Sequence, residues 1–113
     1  MRIIGVGTDI VDIERVRSMR ALERGAEFVC TGGELLEMNM SHDPAQFFAS
    51  RFALKEALIK ALPASRGYHD VEVIKDGAKI QARLLHRDDT AYTAFISLAH
   101  EFKYALAYAT VCA

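Results

Sequence analysis

Two cysteines in 113 residues are too few for a disulfide scaffold, and Cys30 and Cys112 have no metal-ligand spacing. Both read as buried free thiols. No stretch approaches the roughly 18 consecutive apolar residues that a membrane-spanning helix needs. The opening "MRIIGVGTDIV" has neither the long apolar segment nor the small-residue cleavage site of a secretory leader. The expectation is a soluble, cytoplasmic chain with no membrane partner. Excess charge is absent as well. The formal net is -1, so no global field marks nucleic-acid binding, and electrostatic recognition has to come from local patches. Repeats, low-complexity tracts and linker-like runs are missing, so residues 1–113 read as one domain near the lower end of comfortable core size. A hydrophobic content of 51% is generous for that size, and some of it is available for burial against other copies of the chain.

What is present divides the chain in two. "RIIGVGTDIV" is rich in β-branched residues and reads as a strand. Asp12 then caps a helix expected to run to about Arg24, with Ile13, Val16, Met19 and Leu22 near one face and Gly25 ending it. Thr31 and Glu34 have capping-box spacing ahead of a short helix over "GGELLEMNM". In "DPAQ", Asp43 is the N-cap, Pro44 suits the first helical position and Gln46 completes a variant of the box, while Pro63 stops the helix that follows. The second half reads as strands. "VEVIK" turns at Asp76-Gly77 into "KIQARLL", and "YTAFISLA" and "YALAYATVC" form a closing hairpin about "HEFK". Helices early and strands late give an α+β fold, an antiparallel sheet packed with a long helix.

Chemistry is concentrated in few places. "GVG" at 5 to 7 is not a dinucleotide-binding fingerprint, because the third glycine would fall at Ile10, and no phosphate-cradling lysine motif follows. Those glycines keep the strand slim where another backbone approaches. Asp9 lies in an otherwise apolar strand, where a carboxylate is costly to bury unless paired or bound to a cation; an exposed strand end explains it equally well. "SRFALKEALIKALP" sets Arg51, Lys55, Glu56 and Lys60 among alanines and bulky apolar residues. Glu56 and Lys60 have the spacing of a modest surface ion pair. Ala49, Ala53 and Ala57 form a small-residue stripe that admits a close neighbour. A carboxylate, several cations and a slim face together also suit a metal-bound pyrophosphate, with Asp9 and Glu56 as co-ligands. Spacing alone favours the ion pair over the site.

"GVGTDIVDIERV" followed by "SRFALKEALIKAL" resembles the holo-[acyl-carrier-protein] synthase family, the short bacterial type of 4'-phosphopantetheinyl transferase. "DVEV" at 70 to 73, the Gly77 turn and "ISLAHEFKYALAYATV" extend the likeness along the chain. The resemblance implies the 4'-phosphopantetheinyl transferase fold. It also implies transfer of the phosphopantetheine arm of coenzyme A to a serine of an apo acyl carrier protein, releasing adenosine 3',5'-bisphosphate. By that resemblance Asp9 and Glu56 hold Mg²⁺, and Lys60 stands beside them as the third catalytic residue. The base is Glu56 or a metal-bound water. Arg51, Lys55, Lys60 and His100 lie along the coenzyme A site, and trimers form with active sites between subunits. An acidic carrier needs a basic, partly apolar docking face, for which Arg15, Met19, Arg20 and Arg24 are the candidates; Arg17 is equally a locally paired surface residue. The residues do not choose among fatty-acid, polyketide and peptide carriers, although fatty acid biosynthesis is the pathway the family implies. His42, His69 and His86 have no ligand spacing and read as surface residues. The chain departs from the pattern where "LPASRG" replaces a glycine-rich turn, at Ala99, and in the short "HRDDTA". The competing expectation is a member that binds a carrier or nucleotide without efficient transfer.

Overall fold

Residues Met1 to Ala113 are all described by the computed structural model. The β-branched amino end forms strand β1, Ile3–Asp12. Asp12 caps helix α1, Ile13–Arg17, by accepting from the Arg15 backbone N–H at 3.2 Å. The expected long first helix does not form. α1 stops at Ser18, whose hydroxyl donates to the Glu14 carbonyl at 2.9 Å in competition with the backbone ladder. A separate helix α2 spans Leu22–Val29. Gly25 therefore lies inside α2 rather than ending a helix, and a Cβ there would make only ordinary contact with Met19 and Phe48.

Helix α3, Gly32–Asn39, starts with the anticipated capping box: the Glu34 N–H donates to Thr31 Oγ1, and the Thr31 N–H donates to Glu34 Oε1 at 2.8 Å. Helix α4, Pro44–Ala61, begins at the Asp43 cap, with Pro44 in the first turn. It ends where Leu62 turns extended ahead of Pro63. The Gln46 side chain is not the other half of a box; it reaches His100.

The strands pair as expected. β2 (Val71–Asp76) and β3 (Lys79–Leu84) form a two-stranded ribbon about Gly77, whose φ of +62° is the left-handed value that glycine tolerates. β4 (Thr93–His100) and β5 (Tyr104–Cys112) form the closing hairpin, and β1 pairs antiparallel with β5, giving the order β1-β5-β4. "HRDDTA" holds only a single helical turn, Arg87–Asp89.

α4 is the centre of the molecule. The sheet presents Ala105, Ala107, Ala109 and Val111, all fully buried, to a helix stripe of Ala49, Ala53 and Ala57. The fit is so close that a Cβ on Gly5 would sit 1.9 Å from the Ala61 carbonyl oxygen, and one on Gly7 would sit 2.0 Å from that of Ala57. The slim strand and slim helix read from the sequence thus face each other. α1, α2 and α3 cover the other side of α4, which leaves it apolar or buried nearly all round. No helix is long and apolar enough to cross a membrane.

Candidate functional site

Residues two apart on a strand share a face, so Asp9 follows Gly7 toward α4. Gly7 rests against the Ala57 carbonyl, which brings Asp9 level with Glu56. Both carboxylates line one cavity of about 630 Å³, together with Arg15, Met19, Phe28 and Tyr68. Lys60 completes the group. Its Nζ donates to Asp9 Oδ1 at 3.1 Å and to the Thr8 carbonyl at 3.0 Å. The helical spacing had paired Lys60 with Glu56. Its stem instead runs past Gly7, where no side chain blocks the way to Asp9.

Glu56 has a different partner. The Tyr68 hydroxyl donates to Glu56 Oε1, and the Tyr68 ring packs edge-on to Phe28. Burial, then the bond to Glu56, pushes the phenol up to about 12, so it stays a proton donor. Nothing in the sequence pattern pointed to Tyr68, because its contact with α4 depends on the path of the "LPASRG" turn. That turn is fixed by a second feature that sequence reading missed. Arg66 donates through Nε and Nη2 to both oxygens of buried Asp89, at 2.9 and 2.7 Å. The guanidinium holds the Asp89 carboxyl below the usual carboxylate range.

Lys55 is a correction. It was expected along a coenzyme A site, but its side chain is fully buried and lines neither cavity described here. Nζ lies 2.5 Å from Glu34 Oε1 and donates to the carbonyls of Val29 at 2.7 Å and Tyr68 at 3.0 Å. Its three protons are spent inside the protein. Glu34 is buried too, and its other oxygen accepts from the Val73 N–H at 2.9 Å. Helix layers on one flank of α4 and the β2 ribbon on another exclude water from this lysine, which a helical wheel does not reveal.

Arg51 and His100 do come together, but not at Asp9 and Glu56. They line a separate cavity of about 540 Å³ with Gln46 and Lys75. Gln46 Nε2 donates to His100 Nδ1 at 3.1 Å. Arg51 stacks over Phe47 at 4.4 Å and reaches Glu37 at 3.2 Å, while its buried Nε has no partner. In the sheet, Asp9 is in register with Ala107 and Leu98, and His100 sits two residues further along the far strand. Two strand spacings, about 10 Å, therefore separate the two groups across the sheet.

The basic docking candidates are spread over two helices and their connection. Arg15 is on α1, Met19 and Arg20 follow it, and Arg24 is on α2. Arg15, Arg20 and Arg24 are exposed and form no ion pair, whereas Arg17 is held by Glu14 and by both oxygens of Asp43. His42 and His69 are exposed, His86 is half-buried, and Cys30 and Cys112 are free and buried, with burial pushing the Cys30 thiol up to about 11.

The profile of the 4'-phosphopantetheinyl transferase superfamily matches residues 5–109. The chain belongs to the holo-[acyl-carrier-protein] synthases of that superfamily. It is 35% identical to the holo-[acyl-carrier-protein] synthase of Chlorobaculum parvum, covering 94% of this chain and 96% of that one. With the synthase of Azoarcus sp. the identity is 39%, at 95% coverage of both. The holo-(acyl-carrier-protein) synthase of Bacillus anthracis, solved in complex with CoA (3',5'-ADP), superposes with a TM-score of 0.82 at 27% identity, covering 98% of this chain and 97% of that one. The synthase of Neisseria meningitidis shares the fold, with a TM-score of 0.87 at 24% identity over 98% of this chain and 99% of that one.

Proposed function

We propose that this chain transfers the 4'-phosphopantetheine arm of coenzyme A to a serine of an apo acyl carrier protein, releasing adenosine 3',5'-bisphosphate. The whole chain, residues 1–113, acts as one transferase domain. The observation that carries this reading is the meeting of Asp9 and Glu56, one from β1 and one from α4, in one cavity. Two carboxylates beside open space suit Mg²⁺, which binds through one or two protein carboxylates and fills its remaining positions with water and substrate phosphate. No group of three or more His, Cys, Asp or Glu side chains comes together, so the donor set fits that open arrangement rather than a closed cage. When bound, the ion neutralises pyrophosphate charge and helps align the phosphorus for in-line displacement.

The protein's own residues do the rest. The serine oxygen forms a new bond to the phosphorus of the phosphopantetheine, and the bond to the leaving adenosine phosphate breaks. Tyr68 occupies Glu56 Oε1 and leaves Oε2 as the oxygen that would hold the ion, and the serine proton leaves to water in the open cavity. Lys60, half exposed and only loosely tied to Asp9 at 3.1 Å, swings its ammonium to the departing phosphate. Arg15 and Met19 line the same cavity, so a carrier docked on Arg15, Met19, Arg20 and Arg24 delivers its serine close to Glu56.

Arg51 and His100 act on coenzyme A from a second copy. Their separation from Glu56 supports a homotrimer with sites between subunits, as does the outer face of the sheet. There Val6, Ile10, Phe95, Leu106 and Tyr108 are all about half exposed. Function in the cytoplasm, in fatty acid biosynthesis, completes the proposal. Incubation with coenzyme A, Mg²⁺ and a panel of apo carriers tests it: one carrier gains the mass of a phosphopantetheine, and Glu56→Gln removes turnover while circular dichroism stays unchanged. No gain on any carrier, with coenzyme A binding retained in calorimetry, selects the binding-only alternative.

A further inference from the structure

We propose that Tyr68 is the positioning residue for Glu56: a phenol held from three directions fixes one carboxylate oxygen and leaves the other to the cation. The inference rests on the assignment of Glu56 as a Mg²⁺ ligand. Glu56 is half-buried, and none of the charged side chains on its own helix pairs with it. Lys60 turns to Asp9, Lys55 to Glu34 and Arg51 to Glu37. The one hydrogen bond to its carboxylate comes from Tyr68, beyond the end of α4.

Tyr68 is itself immobilised. Its ring meets Phe28 at 5.7 Å and Phe52 at 5.9 Å between centroids. Its carbonyl accepts from the buried Lys55 ammonium at 3.0 Å. The chain just before it is anchored by the Arg66–Asp89 pair, and the Gly67 N–H donates to Asp70 at 2.8 Å. A hydroxyl fixed at ring, backbone and preceding turn selects one conformer of a flexible glutamate. This also gives Lys55 a role one step removed from the chemistry: it holds the carbonyl of the residue that holds Glu56. An outer partner of a metal-ligating carboxylate is commonly worth about tenfold or more in metal affinity.

The test compares wild type with Tyr68→Phe, which keeps the ring contacts and removes only the hydroxyl. Mn²⁺ binding is followed by the loss of the free-ion electron paramagnetic resonance signal, and transfer is followed against Mg²⁺ concentration. The Mn²⁺ dissociation constant and the half-saturating Mg²⁺ concentration both rise about tenfold. The rate at saturating Mg²⁺ stays within about threefold, the KM for the carrier is unchanged, and so is the metal-free unfolding midpoint. In a Glu56→Gln background the same Tyr68→Phe change leaves Mn²⁺ affinity where it was. Equal Mn²⁺ affinity in wild type and Tyr68→Phe overturns the positioning role while leaving the metal assignment intact. A loss that persists undiminished in the Glu56→Gln background also overturns it. Wild type that binds no Mn²⁺ overturns the metal assignment itself, and the positioning role falls with it.

Discussion

At the scale of single residues, four charges on one helix have four different fates. Arg51 is buried over Phe47, Lys55 is sealed in an ion pair, Glu56 faces a cavity and Lys60 lies half exposed beside Asp9. A charge taken out of water needs a partner, and removing one member of a buried pair leaves the other uncompensated. Lys55→Met leaves Glu34 in that condition, with a cost of about 3–5 kcal/mol, to be read as a lower urea midpoint at unchanged m-value. Exchange of Lys60 for Met leaves no buried charge unpaired, so its stability changes little while turnover falls. The contrast between these two lysines on one helix checks whether burial or sequence spacing governs their roles.

At the scale of elements, the contact of β1 with α4 is set by absent side chains. Gly7→Ala puts a methyl 2.0 Å from a carbonyl oxygen of Ala57, a backbone atom with no rotamer to yield. The expected cost is about 3 kcal/mol, the upper end of over-packing penalties. Turnover falls with it, since separating strand from helix separates Asp9 from Glu56; thermal unfolding and the transfer assay together report both. The start of α4 carries a pH signature. Arg17 donates to both oxygens of the Asp43 cap and holds that carboxyl below its usual value. A folded-state pKa below the unfolded one means that the unfolded chain binds more protons in acid. The contribution of Asp43 is then complete above the unfolded value near 4 and is lost as pH falls through the folded value. Asp89, lowered by Arg66, follows the same sign. Thermal melts from pH 7 downward show a steepening loss of stability below about pH 4. Asp43→Asn, which keeps a capping oxygen but no titrating charge, flattens that limb.

At the scale of the whole molecule, the two groups of functional candidates lie on different sides of α4, and the outer sheet face is apolar. If three copies close a ring, each site combines Asp9 and Glu56 of one copy with Arg51 and His100 of the next. Glu56→Gln and Arg51→Ala are then each inactive alone, yet an equimolar mixture allowed to exchange subunits recovers about a quarter of wild-type turnover, the chance that one intact half meets the other in a closed ring. No recovery despite demonstrated exchange places both halves in one copy and rules out the shared site.

Local rules in the sequence determined much of the scaffold: the caps at Asp12, Thr31 and Asp43, the stop before Pro63, the Gly77 turn and the closing hairpin. Each depends on neighbours within about four residues, where backbone geometry leaves few choices. They failed where a side chain competed locally with the ladder, as Ser18 does in cutting the first helix short. The tertiary structure alone decided which of the charged side chains on α4 meet solvent and with whom they pair. Glu34, Asp9 and Tyr68 are brought to that helix by separate strands, turns and helices, and the sense of each contact follows from which layers pack on which flank. Helical period orders the charges around an axis, but only packing on several flanks decides where water remains.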